Sequence, residues 1–332
     1  MKSKMWVFTS CNLAYLPQAM VLIESVRKVH DDCLFAIVLV EEKRRFPDPI
    51  ESALGEFDQV IFPEDIWGKD RFAKLFPYNV VEACTAIKGP ALSKLLENGL
   101  PVVYLDPDVV VFNRLDSILN HLASFSILLT PHQLDPVDPN GWGELQDERV
   151  SLLTGVFNFG FLAVAPTNVG KSFSKWWEYR TVENCFENSD AGLFTDQKWG
   201  NLIPVLFPET QILRERGLNV ASWNLHERNI RISDQGDYFV DSDPLVFFHF
   251  TKGQMGVQPV IQKSIENIYV ASLWRWYLEK LELERSKFPQ SDWSYARFRD
   301  GEKQLIDQHS RREFRRIGQR TVRAGNPFYQ YE

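Results

Sequence analysis

The stretch VVYLDPDVVVF, residues 102–112, decides how the rest of the chain is read, because two aspartates stand in a run that is otherwise apolar and β-branched. Such a run has the composition of a strand buried on both faces, as found inside a parallel sheet. An unpaired carboxylate there either destabilises the fold or shifts its pKa until it is neutral. Pro107 resolves the conflict. It has no N–H to give to a ladder, so the strand VVYL is predicted to stop there. Asp106 and Asp108 then leave the core at the carboxyl edge of the sheet, where open α/β sheets bind ligands. Asp-x-Asp is short enough for both carboxylates to reach one ion, directly or through water. Hard oxygen donors suit Mg²⁺ or Mn²⁺. An ion held there can bridge a diphosphate and neutralise charge on a leaving group. The plainer alternative is an exposed Asp-Pro-Asp turn.

The flanking sequence alternates strand and helix patterns. MWVFTS (5–10) reads as a strand, and residues 16–30 follow as a helix with Pro17 in its first turn and Met20, Ile23 and Val26 at helical spacing. LFAIVLV (34–40) and QVIF (59–62) read as strands, and residues 90–98 as a helix opened by Pro90 and closed by Gly99. This rhythm predicts a parallel, Rossmann-like sheet. Further strands are expected at 124–130, 159–165 and 245–250, with a helix carrying Trp176 and Trp177 between the last two. LDPVDPNGWGELQDERV (134–150) lacks periodicity and reads as a long loop, a class of segment that often carries function. From about residue 257 the pattern turns helical, with Ile261, Ile265, Ile268 and Tyr269 on one face. The tail RREFRRIGQRTVR (311–323) holds six arginines and one glutamate.

The totals limit the function classes. At 332 residues the chain can bury a large core. A net charge of −7 argues against a general nucleic-acid binder. Four widely spaced cysteines form no C-x-x-C pair, which fits a reducing compartment better than a disulfide or zinc framework. No run approaches the roughly 18 apolar residues of a membrane span, and MKSKMWVFTS turns polar before a signal-peptide core could form. The expected location is cytoplasmic. The arginine tail is either a solvated helix face or a peripheral contact with anionic headgroups at the inner face of the membrane.

Over residues 5–253 the sequence resembles the glycosyltransferases of the GT-A fold, in particular the family 8 type and related bacterial enzymes. Several blocks in matching order carry the resemblance: FTSCNLAYLPQAMVLIESV, VVYLDPDVVVF, GVFNFGFLAVAP, FTDQKWGNLIP and FFHFTKG. It implies a GT-A, Rossmann-like α/β fold with a mixed, mostly parallel central sheet. Residues 1–256 would form the catalytic domain and 257–332 a C-terminal helical extension with a basic tail. It implies His249 as a third metal ligand beside Asp106 and Asp108, against the plainer reading of a satisfied core histidine. Mn²⁺ suits two carboxylates and an imidazole better than Mg²⁺ does. Thr9, Ser10, Cys11 and Asn12, after the first strand, would hold the base and ribose. The family often has an aspartate and an aromatic where this chain has Ser10 and Leu13.

Lys88 would approach the diphosphate or base, unless it is simply a solvated lysine at a helix start. Lys252 and Gly253 would grip the departing phosphate, or else form a surface turn. Asn158, Gly160 and His132 would line the sugar site. Asp196 and Gln197 would face the anomeric carbon, although Asp196 is equally accounted for in the first turn of a helix capped by Thr195.

The implied reaction is transfer of a sugar from a nucleotide-sugar, UDP first among donors, to a glycan, lipid-linked or other glycoconjugate acceptor, as in surface polysaccharide biosynthesis. Retention follows the family. Asp135, Asp138, Glu144 and Asp147 leave inversion open, since any could act as base. Two rivals stand beside this reading. A sugar nucleotidyltransferase would carry a glycine-rich phosphate loop, and FTSCNLAY has no glycine. A non-catalytic descendant would bind sugar or a partner without turnover.

Overall fold

The computed structural model describes residues 4–138, 140, 145–251, 268–300, 303–321 and 326–329. The strands run in chain order as β1 (Met5–Cys11), β2 (Cys33–Leu39), β3 (Gln59–Ile61), β4 (Val102–Leu105), β5 (Val109–Val111), β6 (Ile127–Leu129) and β7 (Phe161–Val164). Then follow the short pair β8 (Glu187–Asn188) and β9 (Leu193–Phe194), β10 (Thr210–Ile212) and β11 (Val220–Ala221). The ribbon β12 (Ile230–Ile232), β13 (Tyr238–Val240) and β14 (Asp243–Pro244) precedes β15 (Phe247–His249).

The large sheet has the order β10-β6-β7-β4-β1-β2-β3. All its pairings are parallel except those of β7, which is antiparallel to β4 and β6. This is the mixed, mostly parallel sheet expected from the sequence. Side chains alternate across it with period two. Trp6, Phe8, Val102 and Tyr104 enter one core, and Met5, Val7, Val103 and Leu105 the other. The first core lies under the helices Lys88–Leu96 and Asn168–Asn184, and the second under Leu16–Val29.

VVYLDPDVVVF is two strands rather than one. β4 belongs to the large sheet, whereas β5 joins a second sheet of order β11-β15-β5. Asp106, Pro107 and Asp108 form the turn between the sheets, closed by the Val109 N–H donating to Asp106 O at 3.1 Å. That second sheet is what brings residue 249 to residue 108. β15 pairs antiparallel with β5 so that His249 lies opposite Val109.

Two expectations are corrected. The 134–150 stretch is not loop throughout, because Leu145–Thr154 is helical with Asp147 and Glu148 in its first turn, where acids suit the helix dipole. Of the apolar face proposed after residue 257, Ile261 and Ile265 lie outside the described residues, and Ile268 is 65% exposed. The buried face of the helix Ile268–Arg285 is instead Val270, Leu273, Trp274, Tyr277 and Leu281. Trp274 and Tyr277 pack on Phe250, with the Tyr277 ring stacked 4.0 Å from it. Further along, Trp293, Tyr295, Ile306 and Phe328 enter the same core as Phe8 and Tyr104.

Candidate metal centre and active site

The turn after β4 presents Asp106 and Asp108 to the end of β15. His249 Nε2 lies 2.9 Å from Asp108 Oδ1 and 3.7 Å from Asp106 Oδ2. One donor atom from each of the three residues falls within 4.8 Å of the others. The backbone fixes this approach, with the Asp106 N–H donating to Gly160 O at 2.9 Å and the Phe250 N–H to Asp108 O at 2.8 Å. Gly160 leaves room for the imidazole, since a Cβ there would stand 2.4 Å from His249 Cε1. Burial alone would lower the His249 pKa, but the facing carboxylates of Asp108 and Asp106 outweigh it and raise it. Two carboxylates and an imidazole nitrogen converging on one point fit a divalent ion such as Mn²⁺.

Beneath this triad lies a buried charge cluster. Lys88 Nζ stands 3.1 Å from Asp106 Oδ1, 3.3 Å from Asp196 Oδ2 and 3.3 Å from Phe159 O. Its ammonium also lies 4.3 Å from the centre of the Tyr104 ring, whose hydroxyl donates to Asp106. Tyr104 and Asp106 are two residues apart and so project to one side of the sheet. Lys88 is therefore not a solvated helix-start lysine. Burial works against its charge, and the two aspartates more than restore it. Burial likewise opposes ionisation of Asp106, while Lys88, His249 and Tyr104 hold its carboxyl below the usual range. Asp196 is pushed up to about 6, chiefly by burial and also by Asp106, with Lys88 opposing.

Asp196 does not sit inside a helix capped by Thr195. Thr195 is left-handed (φ 45), and Asp196 itself precedes the helix Gln197–Gly200 without a side-chain capping bond. The carboxylate turns inward to Lys88 instead. Gln197 points elsewhere, donating its amide to Thr154 O at 3.2 Å and packing on Gly155.

Asn158, Gly160 and His132 do come together. Asn158 Oδ1 accepts from the Gly160 N–H at 3.0 Å and from Asn219 Nδ2 at 3.0 Å, and Asn158 Nδ2 faces His132 Nε2 at 3.4 Å. Burial pushes the His132 pKa down to about 4, so the ring is neutral near pH 7. Trp223 lies edge-on between the two histidines, 5.6 Å from the His132 ring and 5.2 Å from that of His249. Among the described residues, its indole nitrogen and Asn219 Oδ1 are buried without hydrogen-bond partners.

Tyr104, Asn219 and Trp223 escaped the sequence reading. Tyr104 passed as one more apolar strand residue, although its position two before Asp106 was a usable signal. Asn219 and Trp223 lie in RGLNVASWNL, which has no periodicity to flag them.

The N-terminal group is placed differently from expectation. β1 runs through Cys11, so residues 9–11 are strand rather than loop. Ser10 Oγ donates to Cys84 O at 2.7 Å, Thr9 is fully buried, and burial raises the Cys11 thiol pKa. Asn12 is the first residue beyond the strand end, and the next N–H, of Leu13, donates to the buried Glu41 carboxylate at 3.1 Å. Lys252, Gly253 and Glu144 lie outside the described residues.

No family model matches the chain. Two proteins of Bacillus subtilis (strain 168) are similar in sequence. Uncharacterized protein YfnF is 28% identical over 174 residues, 51% of this chain and 56% of that protein. Uncharacterized protein YfnD is 24% identical over 154 residues, 45% of each. The chain thus spans about half the length of the curated relatives it matches. Among solved structures, the galactosyltransferase LgtC with donor and acceptor sugar analogs aligns at TM-score 0.48 and 16% identity, covering 86% of this chain and 100% of that one. The glycosyltransferase GlyE of Streptococcus pneumoniae TIGR4 aligns at TM-score 0.46 and 14% identity, covering 88% and 66%. Mouse xyloside xylosyltransferase 1 aligns at TM-score 0.44 and 15% identity, covering 76% and 98%.

Proposed function

We propose that this protein is a metal-dependent glycosyltransferase that moves a sugar from a nucleotide-sugar, UDP-linked by first preference, to a glycan, lipid-linked or other glycoconjugate acceptor with retention of configuration. The observation that carries the reading is the convergence of Asp106, Asp108 and His249 from two different sheets on one point at the carboxyl end of β4. Those residues would hold Mn²⁺ or Mg²⁺, which supplies a Lewis acid for the departing diphosphate.

The chain's own residues have separable tasks. Lys88 and Tyr104 fix one oxygen of Asp106 and leave the other turned to His249. Asp196 supplies a dry negative charge behind the triad, which favours positive character at the anomeric carbon in an oxocarbenium-like state. Gln197 spends its amide nitrogen on Thr154 O, so its contribution to the sugar would be its carbonyl oxygen. Asn158 has its oxygen satisfied by Gly160 and Asn219, so it would meet the sugar as a donor. Of the carboxylates that leave inversion open, Asp135 is ion-paired with Arg216 and Asp138 accepts from the Asn140 N–H, and retention is the reading taken from the family resemblance.

The test is donor hydrolysis. The protein is incubated with Mn²⁺ and a panel of nucleotide-sugars, and release of the nucleoside diphosphate is followed. Metal-dependent release from one donor, abolished by Asp108→Asn with the fold unchanged, is the expected result. No release and no ligand-induced thermal shift would favour the non-catalytic reading. Full activity of Asp108→Asn would sink the metal assignment.

A further inference from the structure

A cavity lies away from the metal centre, at the far end of β5. It has a volume of about 330 Å³ and is walled by the helix Leu16–Val29, β5, the β12–β13 turn and the helix Ile268–Arg285. Three aromatic rings form its apolar side. Phe112 lies 5.5 Å from Tyr238 at an interplanar angle of 63° and 5.8 Å from Trp276 at 52°. Trp276 is 37% exposed although it is a large apolar ring in a long helix. Around the rings stand hydrogen-bonding groups of both signs: Lys28, Asn113 and Asp237, with Glu24 and Lys280 paired at 2.6 Å. Gly236, at the tip of the turn, is left-handed (φ +88), and a Cβ there would meet nothing within 4 Å.

We propose that this cavity is an oligosaccharide-binding site, separate from the transfer centre, that holds a glycan acceptor. The choice of ligand rests on the glycosyltransferase reading. The site itself rests on the lining.

A pyranose ring has a C–H face that packs on an aromatic side chain and an equator of hydroxyls that needs donors and acceptors of both kinds. The cavity offers both sets side by side. Its volume is within the ordinary range of small-molecule sites. A nucleobase fits less well against Phe112, because flat rings are best held between parallel faces and neither Tyr238 nor Trp276 lies parallel to that ring. A strongly anionic ligand is also disfavoured, since Asp237 and Glu24 stand beside Lys28 and Lys280. From Asp108 to Phe112 is four residues of extended chain, on the order of 13 Å at strand rise. A glycan of a few sugars is therefore on the right scale to engage both regions, whereas a monosaccharide is not.

The experiment is a binding titration of the full chain, without metal or donor, against maltohexaose, cellohexaose, xylohexaose and chitohexaose, followed by saturation-transfer NMR. Uridine and adenosine monophosphates are run in parallel. Saturable binding of at least one hexasaccharide is expected. It should weaken at least tenfold in Trp276→Ala and in Tyr238→Ala and stay within about threefold in Trp276→Phe. A chain that binds hexasaccharide in this way but releases no nucleotide leaves this site standing while the transfer reading fails. No saturable binding of any hexasaccharide, binding indifferent to Trp276 and Tyr238, or binding of the mononucleotides alone would overturn the assignment.

Discussion

At the scale of single residues, the candidate centre depends on positions whose importance lies in what they exclude. Gly160 is the clearest. A methyl group there would overlap the His249 ring and stand 2.8 Å from Asn158 Oδ1, so alanine must displace one of them. Gly160→Ala is expected to weaken Mn²⁺ binding at least tenfold, read by calorimetric titration, with the fold retained. Binding equal to that of the unaltered chain would show that the ring has another place to go. Lys88 works the other way, by what it neutralises. It is the only cation within ion-pair distance of Asp196 among the described residues, and it also serves Asp106. Replacing it with a neutral side chain leaves carboxylates buried without their partner, which typically costs about 3 to 5 kcal/mol. Lys88→Met keeps most of the apolar stem, so a loss of about 3 kcal/mol or more in urea unfolding would report the charge rather than the volume. A loss below about 1 kcal/mol would mean that the aspartates simply take up protons, as the raised Asp196 pKa allows.

Secondary-structure elements show what could be read from the sequence and what could not. Most strands of the large sheet were legible because strands buried on both faces are continuous apolar runs: β1, β2, β3, β4 and β7 begin within two residues of where those runs do and β6 three residues on, whereas the short, half-buried β10 offered no such run. The aspartate turn was legible because Pro107 cannot continue a ladder. The split of 102–112 between two sheets was not, since VVYL and VVVF look alike and only long-range pairing with β15 tells them apart. Residues 145–154 were missed for a related reason. That helix has no amphipathic stripe, with Leu152 69% and Leu153 54% exposed, so there was no period to detect.

A further element-scale feature is the junction where the helix Leu16–Val29 ends, β2 begins and the strand after the aspartates turns away. Asp32 closes it, lying 2.9 Å from Lys4, 3.1 Å from His30 and 3.4 Å from Arg114, while His30 Nε2 accepts from the Leu115 N–H. The Lys4 hydrogen bond, against the opposing effect of burial and helped by His30, holds the Asp32 carboxyl well below the usual carboxylate range. A depressed carboxylate stabilises the fold above its unfolded pKa of about 3.9, and that contribution fades as the pH falls below it. Asp32→Asn should therefore lower the melting temperature at pH 7, with a deficit that starts to shrink below about pH 4 and is lost only as the pH falls through the depressed pKa of the folded carboxyl. A deficit constant across this range would assign the effect to shape rather than charge.

For the whole molecule, the open matter is how the chain after residue 268 relates to the sheet that carries the centre. Its contacts are those of a strap rather than of an appended domain. Trp293 Nε1 donates to Val40 O at 2.8 Å, at the end of β2, and the Ser294 N–H donates to Glu41 at 2.8 Å. The same Glu41 carboxylate accepts from Leu13 just beyond β1, next to Asn12 of the proposed nucleotide site. Arg311 is not a free tail cation, since it is buried and donates to Phe76 O and Tyr295 O at 2.8 Å each. Tyr295, Phe328, Phe72 and Phe76 form one aromatic cluster around it. Truncation after residue 290 would uncover that cluster and leave the buried Glu41 without its Ser294 donors. The expected result is a chain that melts at least 10 °C lower, or that no longer unfolds in a single transition, and that has lost donor-dependent thermal stabilisation. Trp293→Ala, which removes one large ring and one hydrogen bond, should reproduce part of this loss, about 3 kcal/mol from the cavity and the lost packing. A truncated chain that melts with the full one would show that the strap only rests on the sheet. Loss of stability with donor stabilisation intact would separate the strap from the proposed nucleotide site, leaving Glu41 a structural clasp.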